Sequence, residues 1–151
     1  MAILSSSPDA SCGFTLVELV TVLLLLSISL AALIPAGRKQ LDRMAVLGAR
    51  EEVTGLLHRA RFEAVAHGGA VLTLEAAPGT VTLSAAGEVV SRVALADEYR
   101  VEFTLSRDRS ESEITFDPLG LGRVASQTLG FFRGGAEAHL VVSSYGRVVR
   151  R

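Results

Sequence analysis

The sequence has 151 residues, of which 49% are hydrophobic, and a formal net charge of -1. This length fits one modest domain plus an anchor, and neither composition nor charge indicates disorder or a general affinity for nucleic acid. The single cysteine, Cys12, excludes a disulfide framework or a cysteine metal cluster within one chain.

The chain opens with a short polar segment, residues 1–13, followed by a long apolar run. From Phe14 to Ile34 the single charged residue is Glu18. As a helix this run would span about 32 Å, against about 30 Å for the hydrocarbon core of a bilayer. A soluble core helix rarely needs apolar residues on all sides over such a length, so we predict a transmembrane helix over residues 14–36.

Residues 37–67 continue the helix with an amphipathic pattern. Pro35 removes one backbone hydrogen bond near the start of this part and is expected to bend the helix. One apolar face should pack on the rest of the chain while the other face meets water. The residues of this predicted stripe are Val46, Ala49, Val53, Leu56, Leu57, Ala60 and Ala64.

After Gly68 and Gly69 the pattern changes to a period of two, which predicts a β-rich domain over residues 68–151. The charged stretch Arg107–Glu113 is expected to be a solvated loop, and Asp117-Pro118-Leu119-Gly120 suits a type I turn. The fold class is therefore α+β, with a long N-terminal helix followed by antiparallel strands. The strand candidates are Ala70–Leu74, Thr80–Ser84, Glu88–Leu95, Arg100–Leu105, Ile114–Phe116, Leu129–Phe132, His139–Val142 and Arg147–Val149.

The most specific pattern is the junction Gly13-Phe14-Thr15-Leu16-Val17-Glu18. Glycine before the junction offers a protease at the membrane face a backbone without a side chain. Glu18 lies about one turn inside the apolar run, where a carboxylate costs about 2.5–3.5 kcal/mol by insertion scales. Such a charge should have a partner. The α-amino group that cleavage would create on Phe14 of a neighbouring subunit is the natural one.

This junction resembles the signature of type IV pilins and type II secretion pseudopilins. The resemblance implies cleavage by a prepilin peptidase between Gly13 and Phe14, N-methylation of Phe14 and a role for Glu18 in assembly. Pro35 also occupies a position where pilin helices often carry proline. The family implies a single-pass protein of the bacterial inner membrane with a periplasmic C-terminal domain. Its partners would be other pilins, the prepilin peptidase and membrane lipid, and no cofactor is implied.

Two strings in the C-terminal half resemble the strand-and-turn pattern of the minor pseudopilin H and FimT-like group. They run from Ile114 to Gly120 and from Leu140 to Val148. By this resemblance the protein would be a minor pseudopilin, a structural subunit of the type II secretion pseudopilus involved in protein secretion.

The charges around the apolar run differ from the family pattern. The leader has no Lys or Arg, whereas Arg38, Lys39 and Arg43 follow the run. Charge bias alone would place the N-terminus outside, which is the wrong orientation for a pilin. Either the motif and the long translocated domain override this bias, or Met1 is not the natural start.

We find no catalytic, cofactor-binding or metal-binding pattern, so we expect a protein that is not an enzyme. His58, His67 and His139 are too widely spaced for a ligand cluster and are expected to be surface or structurally bonded residues. An anchored enzyme, as a further alternative, lacks candidate residues.

The alternative function is that of a minor pilin of a type IV pilus with a role in DNA binding or uptake. Competence-linked FimT-like pilins use a C-terminal Gly-Arg-x-Arg pattern, whereas here one extra residue separates Arg147 from Arg150. In a strand, residues three apart point to opposite faces, so these two arginines should diverge, although Arg151 could realign with Arg147. A solvated basic tail is the simpler interpretation.

The processing site is directly testable. Because Gly13 precedes an apolar start and a glutamate, the mature chain should begin at Phe14 and carry a methyl group on its α-amine. N-terminal mass spectrometry of protein from cells with an active prepilin peptidase would detect this chain, and cells lacking the peptidase provide the control. An intact leader in the first cells would contradict the assignment.

Overall fold

The computed structural model describes residues 14–123, 126–144 and 146–150. The predicted leader 1–13, with Gly13, and the terminal Arg151 lie outside the described residues. The chain divides into two compact units, Met1–Gly37 and Arg38–Arg151.

Helix α1 spans Leu16–His67 and includes Pro35. Thr15 precedes the helix, and its carbonyl accepts the first helical hydrogen bond, from the Leu19 N–H at 3.1 Å. The helix ends before Gly68, whose φ of +79° lies in the left-handed region that glycine adopts at low cost. The prediction that the helix stops at this glycine pair is confirmed.

In the Arg38–Arg151 unit, α1 buries the apolar stripe that the sequence predicts. Its members are spaced by three or four residues, so they lie on one face of the helix. All seven are buried in a single hydrophobic cluster that also contains residues of both β-sheets: Val46, Ala49, Val53, Leu56, Leu57, Ala60 and Ala64. The stripe prediction is confirmed.

The β domain consists of two antiparallel sheets. The strands are β1 Ala70–Glu75, β2 Thr80–Ala85, β3 Glu88–Ala94, β4 Glu102–Leu105, β5 Glu111–Phe116, β6 Gly122–Arg123, β7 Gln127–Arg133, β8 Ala136–Val142 and β9 Val148–Arg150. The first sheet has the strand order β3-β2-β1-β5-β6 and the second has the order β4-β7-β8-β9. A short helix, α2, spans Leu95–Glu98, and a 3₁₀ turn spans Ser106–Asp108. The α+β fold class is confirmed.

The two sheets are joined by a buried polar contact as well as by apolar packing. Ser112 on β5 donates its hydroxyl hydrogen to the Gln127 side-chain oxygen on β7 at 2.8 Å. Apolar residues of both sheets share one buried cluster, which includes Phe103 and Phe131 of the second sheet, whose ring centroids lie 5.4 Å apart. A buried hydrogen bond of this kind is costly to break because it leaves an unpaired polar group behind.

The predicted solvated loop Arg107–Glu113 is wrong in its second half. Strand β5 begins at Glu111, and its side chains alternate between exposed and buried along the whole strand. Glu111 and Glu113 face water while Ser112 is buried between them, as in a regular strand. In the sequence, the two acidic residues made this part of the strand resemble a solvated loop.

Other strand ends also differ from the predictions. Leu95 begins α2 instead of ending β3, and β4 starts only at Glu102, because Arg100 has a φ of +54° that a strand does not tolerate. Arg147 precedes β9 instead of beginning it. Strand β6 was not predicted because it has only two residues, one of them a glycine.

The buried stripe predicts a large stability effect at Leu57, whose side chain is 1% exposed. In the fragment 38–151, Leu57→Ala should lower the free energy of unfolding by about 2–5 kcal/mol, since it leaves a cavity. Leu57→Asp should cost more, because it buries a carboxylate without a partner. Chemical denaturation measures both.

Phe62 provides the matched control on the same helix, because its side chain is 73% exposed. Phe62→Ala should change the free energy of unfolding by about 0.5 kcal/mol or less. Equal denaturation midpoints for the Leu57 and Phe62 variants would show that the buried face of α1 does not stabilise the domain.

Candidate functional site

The first turn of α1 is held by Thr15. The Glu18 backbone N–H donates to the Thr15 hydroxyl oxygen at 3.2 Å, so Thr15 is the N-cap and Glu18 the third residue of the helix. The spacing Thr-x-x-Glu is a capping-box pattern, which indicates a helix start at Thr15 from the sequence alone. Thr15 is therefore a positioning residue for Glu18 that the sequence analysis missed.

The hydroxyl groups further along the apolar segment are satisfied within the helix itself. Thr21 donates to the Val17 carbonyl at 2.7 Å. Ser27 and Ser29 each donate at 2.8 Å to the carbonyl four residues earlier. Such bonds let a helix carry hydroxyls in an apolar surrounding without a penalty for unpaired polar groups.

Glu18 is the exception to this pattern. Its side chain is exposed, and among the described residues no cation forms an ion pair with it. The positive end of the helix dipole favours a carboxylate in the first turn, but by only about 0.3–1 kcal/mol at exposed sites. This is smaller than the cost of burying a carboxylate in lipid. The geometry therefore leaves Glu18 able to accept a cation from outside its own chain.

The segment around Glu18 is apolar on all sides. Over Leu16–Ile34, every side chain that the structure describes is exposed. Within the described residues, α1 is the one helix long and apolar enough to cross a membrane by length and composition. Phe14 precedes the helix and is 82% exposed, while Gly13 lies outside the described residues.

A family model for the prokaryotic N-terminal methylation motif matches residues 9–34. The matched segment includes the Gly13–Phe14 junction, Glu18 and the apolar run. It supports a type IV pilin-like protein. No curated protein and no solved structure matches the chain.

The match covers the N-terminal part of the chain and ends before the β domain. It implies processing by a prepilin peptidase and assembly with other pilins. Together with the apolar helix, it is consistent with a single-pass anchor in the inner membrane.

Two of the three C-terminal arginines in the other predicted site, Arg147 and Arg150, line a groove of about 650 Å³ in the Arg38–Arg151 unit. As residues three apart in an extended segment, Arg147 and Arg150 were expected to diverge. Arg147 lies before β9, and it borders the groove together with Val148, Val149 and Arg150. The divergence of the two arginine side chains stays a prediction. Arg151 lies outside the described residues. We call this site the arginine groove; its lining is Thr54, His58, Arg61, Gly120, Leu121, Arg147, Val148, Val149 and Arg150.

Two of the three arginines in the arginine groove already have partners. The Arg150 guanidinium lies 3.0 Å from a carboxylate oxygen of Glu51. Arg61 donates to the Gly146 carbonyl and lies over the Phe116 ring, 6.0 Å from its centroid. Glu51 offsets part of the Arg150 charge and is shared with Arg50, which lies 2.9 Å from its other carboxylate oxygen. The Gly146 carbonyl is neutral, so it holds the Arg61 guanidinium in place without reducing its charge.

Arg147 differs from the other two arginines. It is exposed, and within the described part of the chain it forms no ion pair. Its backbone is fixed in the turn that joins β8 to β9, where its N–H donates to the Ser143 hydroxyl at 3.1 Å. The position of Arg147 is thus defined while its charge stays available.

The histidines do not gather into a site. His58 borders the arginine groove, His67 lies 3.3 Å from Glu63 one turn earlier, and His139 packs edge-on against Phe132. In the residues that the structure describes, no three His, Cys, Asp or Glu side chains are placed to share a metal ion.

One titrating group away from these sites has a shifted pKa. Burial raises the pKa of the Tyr99 phenol, and the negative charges of Glu52 and Glu98 add to the shift. Because the phenol is the neutral form below its pKa, Tyr99 packs against Gly48 as an uncharged ring at physiological pH.

Proposed function

We propose that this protein is a minor pseudopilin, a structural, non-enzymatic subunit of the type II secretion pseudopilus. The observation that carries the proposal is Glu18, a carboxylate in an apolar helical segment whose Thr21, Ser27 and Ser29 hydroxyls bond to carbonyls of the same helix. A carboxylate in that position is stabilised when another subunit supplies a cation that pairs with it. Residues 14–36 would cross the inner membrane, 37–67 would continue the helix, and 68–151 would form a periplasmic domain.

Cleavage of the leader would create the partner of Glu18. Removing residues 1–13 leaves a positively charged α-amino group on Phe14, which N-methylation keeps charged. Placed beside Glu18 of a neighbouring pilin, this amine would form an ion pair in a low-dielectric surrounding, where Coulomb attraction is strong. Assembly would then depend on processing, since the intact leader has no charged amine at this point.

The charges of the arginine groove favour secretion over DNA uptake. Duplex DNA is held by several cations that neutralise several phosphates together. In the groove, Arg150 is paired with Glu51 and Arg61 is bonded to Gly146. Arg61 keeps its charge but is half-buried, so Arg147 is the one exposed arginine in the described lining without an ion pair, which is a weak basis for holding a polyanion.

The role of Glu18 predicts an assembly defect without a folding defect. Glu18→Ala should insert in the membrane and lose its leader normally, because no partner within the described chain is broken. Its copurification with other pilins should drop by about tenfold or more, since even about 1.4 kcal/mol corresponds to a factor of ten. Affinity capture followed by quantitative mass spectrometry measures the change.

Thr21→Ala is the matched control for Glu18→Ala. It also removes a polar group from the apolar segment, but that hydroxyl bonds to the Val17 carbonyl of its own helix. The control should copurify with other pilins like the wild type. If Glu18→Ala does so too, intersubunit pairing at Glu18 is excluded.

A second candidate function is that of a type IV minor pilin that binds DNA. One observation favours it: Arg147 and Arg150 line the same groove as Arg61 and His58, so cations can meet one ligand there. If phosphates bind there, affinity should fall with salt by a log–log slope of about 0.9 for each neutralised phosphate.

Our account predicts at most weak DNA binding at physiological salt. Replacing Arg147, Arg150 and Arg151 by glutamine together should change the binding of duplex DNA to fragment 38–151 little, as measured by fluorescence anisotropy. Replacing the exposed Arg92 and Arg109 provides a charge-matched comparison for two of the three changes. Micromolar or tighter binding that is lost only in the triple variant would establish the second function instead.

A further inference from the structure

The basic residues that follow the apolar run are not explained by the proposed function. Arg38, Lys39 and Arg43 are all exposed on α1. Leu41 and Met44, on the same stretch of helix, are 63% and 61% exposed. A helix segment that mixes exposed Lys and Arg with exposed apolar side chains is typical of a membrane–water interface.

The hairpin between β7 and β8 lies against this stretch of helix. Arg133, at the end of β7, places its Nε 2.9 Å from a carboxylate oxygen of Asp42. The next residue, Gly134, has a φ of +53° and approaches the Asp42 carboxylate so closely that a Cβ would overlap it. Arg133 also donates to the Tyr99 carbonyl at 2.7 Å, which fixes the hairpin to the domain.

This packing forms a cleft of about 530 Å³, which we call the hairpin cleft. Its lining residues are Lys39, Arg43, Gly134, Gly135, Ala136 and Glu137. Two side chains of the helix supply its positive charge, and a glycine-rich turn leaves room opposite them. The cleft lies entirely within the Arg38–Arg151 unit.

The charges of the hairpin cleft are available for a ligand. Asp42, the nearest acid on the helix, is occupied by Arg133. Within residues 14–123, 126–144 and 146–150, neither Lys39 nor Arg43 forms an ion pair. Glu137, exposed on β8, is the one carboxylate in the lining and opposes an anion.

The position of Lys39 in the chain indicates which kind of anion lies close to the hairpin cleft. Lys39 follows Ile34 by five residues. Their Cα atoms are therefore at most about 18 Å apart, whatever the backbone does between them. A lysine or arginine side chain can also reach back toward the headgroups while its alkyl stem stays on apolar surface.

We propose that the hairpin cleft binds the phosphate of an anionic phospholipid headgroup through Lys39 and Arg43. The inference rests on the membrane anchor in the proposed function, and goes beyond it by assigning a lipid class to a site. Basic residues beside a membrane-spanning segment are attracted to anionic headgroups, each contributing about a fivefold gain in affinity.

The test uses the full chain in lipid nanodiscs that contain phosphatidylglycerol and phosphatidylcholine. After transfer to a neutral detergent, native mass spectrometry counts the lipids of each class that stay bound. The wild type should retain phosphatidylglycerol over phosphatidylcholine. The double variant Lys39→Gln, Arg43→Gln should lose about 10- to 30-fold of this preference, since two charges are removed.

Two further variants make the test specific. Arg92→Gln with Arg109→Gln removes two exposed charges outside the hairpin cleft and should keep the preference. Glu137→Gln removes the opposing carboxylate and should increase the retention of phosphatidylglycerol several-fold, which a general loss of folding could not produce.

The outcomes separate this inference from the proposed function. If the full chain enters nanodiscs but the Lys39 and Arg43 variant retains phosphatidylglycerol like the wild type, the lipid site is wrong and the anchor stands. An equal loss in the Arg92 and Arg109 variant would likewise overturn the site. A chain that does not enter nanodiscs at all would overturn the anchor, and with it both proposals.

Discussion

Both sheets of the Arg38–Arg151 unit depend on the apolar stripe that runs along α1 from Val46 to Ala64. The stripe and the inward-facing residues of the two sheets form one buried cluster. Fully burying one leucine such as Leu57 contributes about 1.5–3 kcal/mol, which is a large part of the 5–15 kcal/mol by which a domain is typically stable. The arginine groove and the hairpin cleft are both lined by residues of α1 and of strands or turns, so this packing positions them.

The N-terminal part of α1 obeys a different constraint. The leucines and valines whose side chains the structure describes are exposed there, and the Thr21, Ser27 and Ser29 hydroxyls bond to carbonyls one turn earlier. Glu18 is the residue in this segment whose chemistry a single chain does not complete. The match to the N-terminal methylation motif covers this same segment, so the physical exception and the family signal coincide.

Regular patterns made most of the fold predictable. The spacing of Val46, Ala49 and Val53 predicted the buried helix face, and glycine pairs and turn residues separated most of the strands correctly. The Asp117-Pro118-Leu119-Gly120 turn is present, closed by a hydrogen bond from the Gly120 N–H to the Asp117 carbonyl. These features are local, so a single sequence contains them.

Some of the features that the sequence did not predict depend on partners far along the chain. Glu51 pairs with Arg150, and Asp42 pairs with Arg133, although no pattern links these residues in the sequence. The start of β5 could not be predicted because Glu111 is as polar as the exposed loop before it, so no change in polarity marks the boundary. Local information was also overlooked at Thr15, whose capping role the Thr-x-x-Glu spacing indicates.

The central claim is that Glu18 pairs with the N-terminal amine of another subunit after the leader is removed. A membrane-permeant carbodiimide joins a carboxylate directly to an amine that touches it, so peptide mass spectrometry of treated membranes can identify the pair. The account predicts an amide between Glu18 and the N-terminal residue of a second pilin, present with the prepilin peptidase and absent without it. Assembled, processed subunits in which Glu18 is joined to a lysine, or to no amine, would contradict the account.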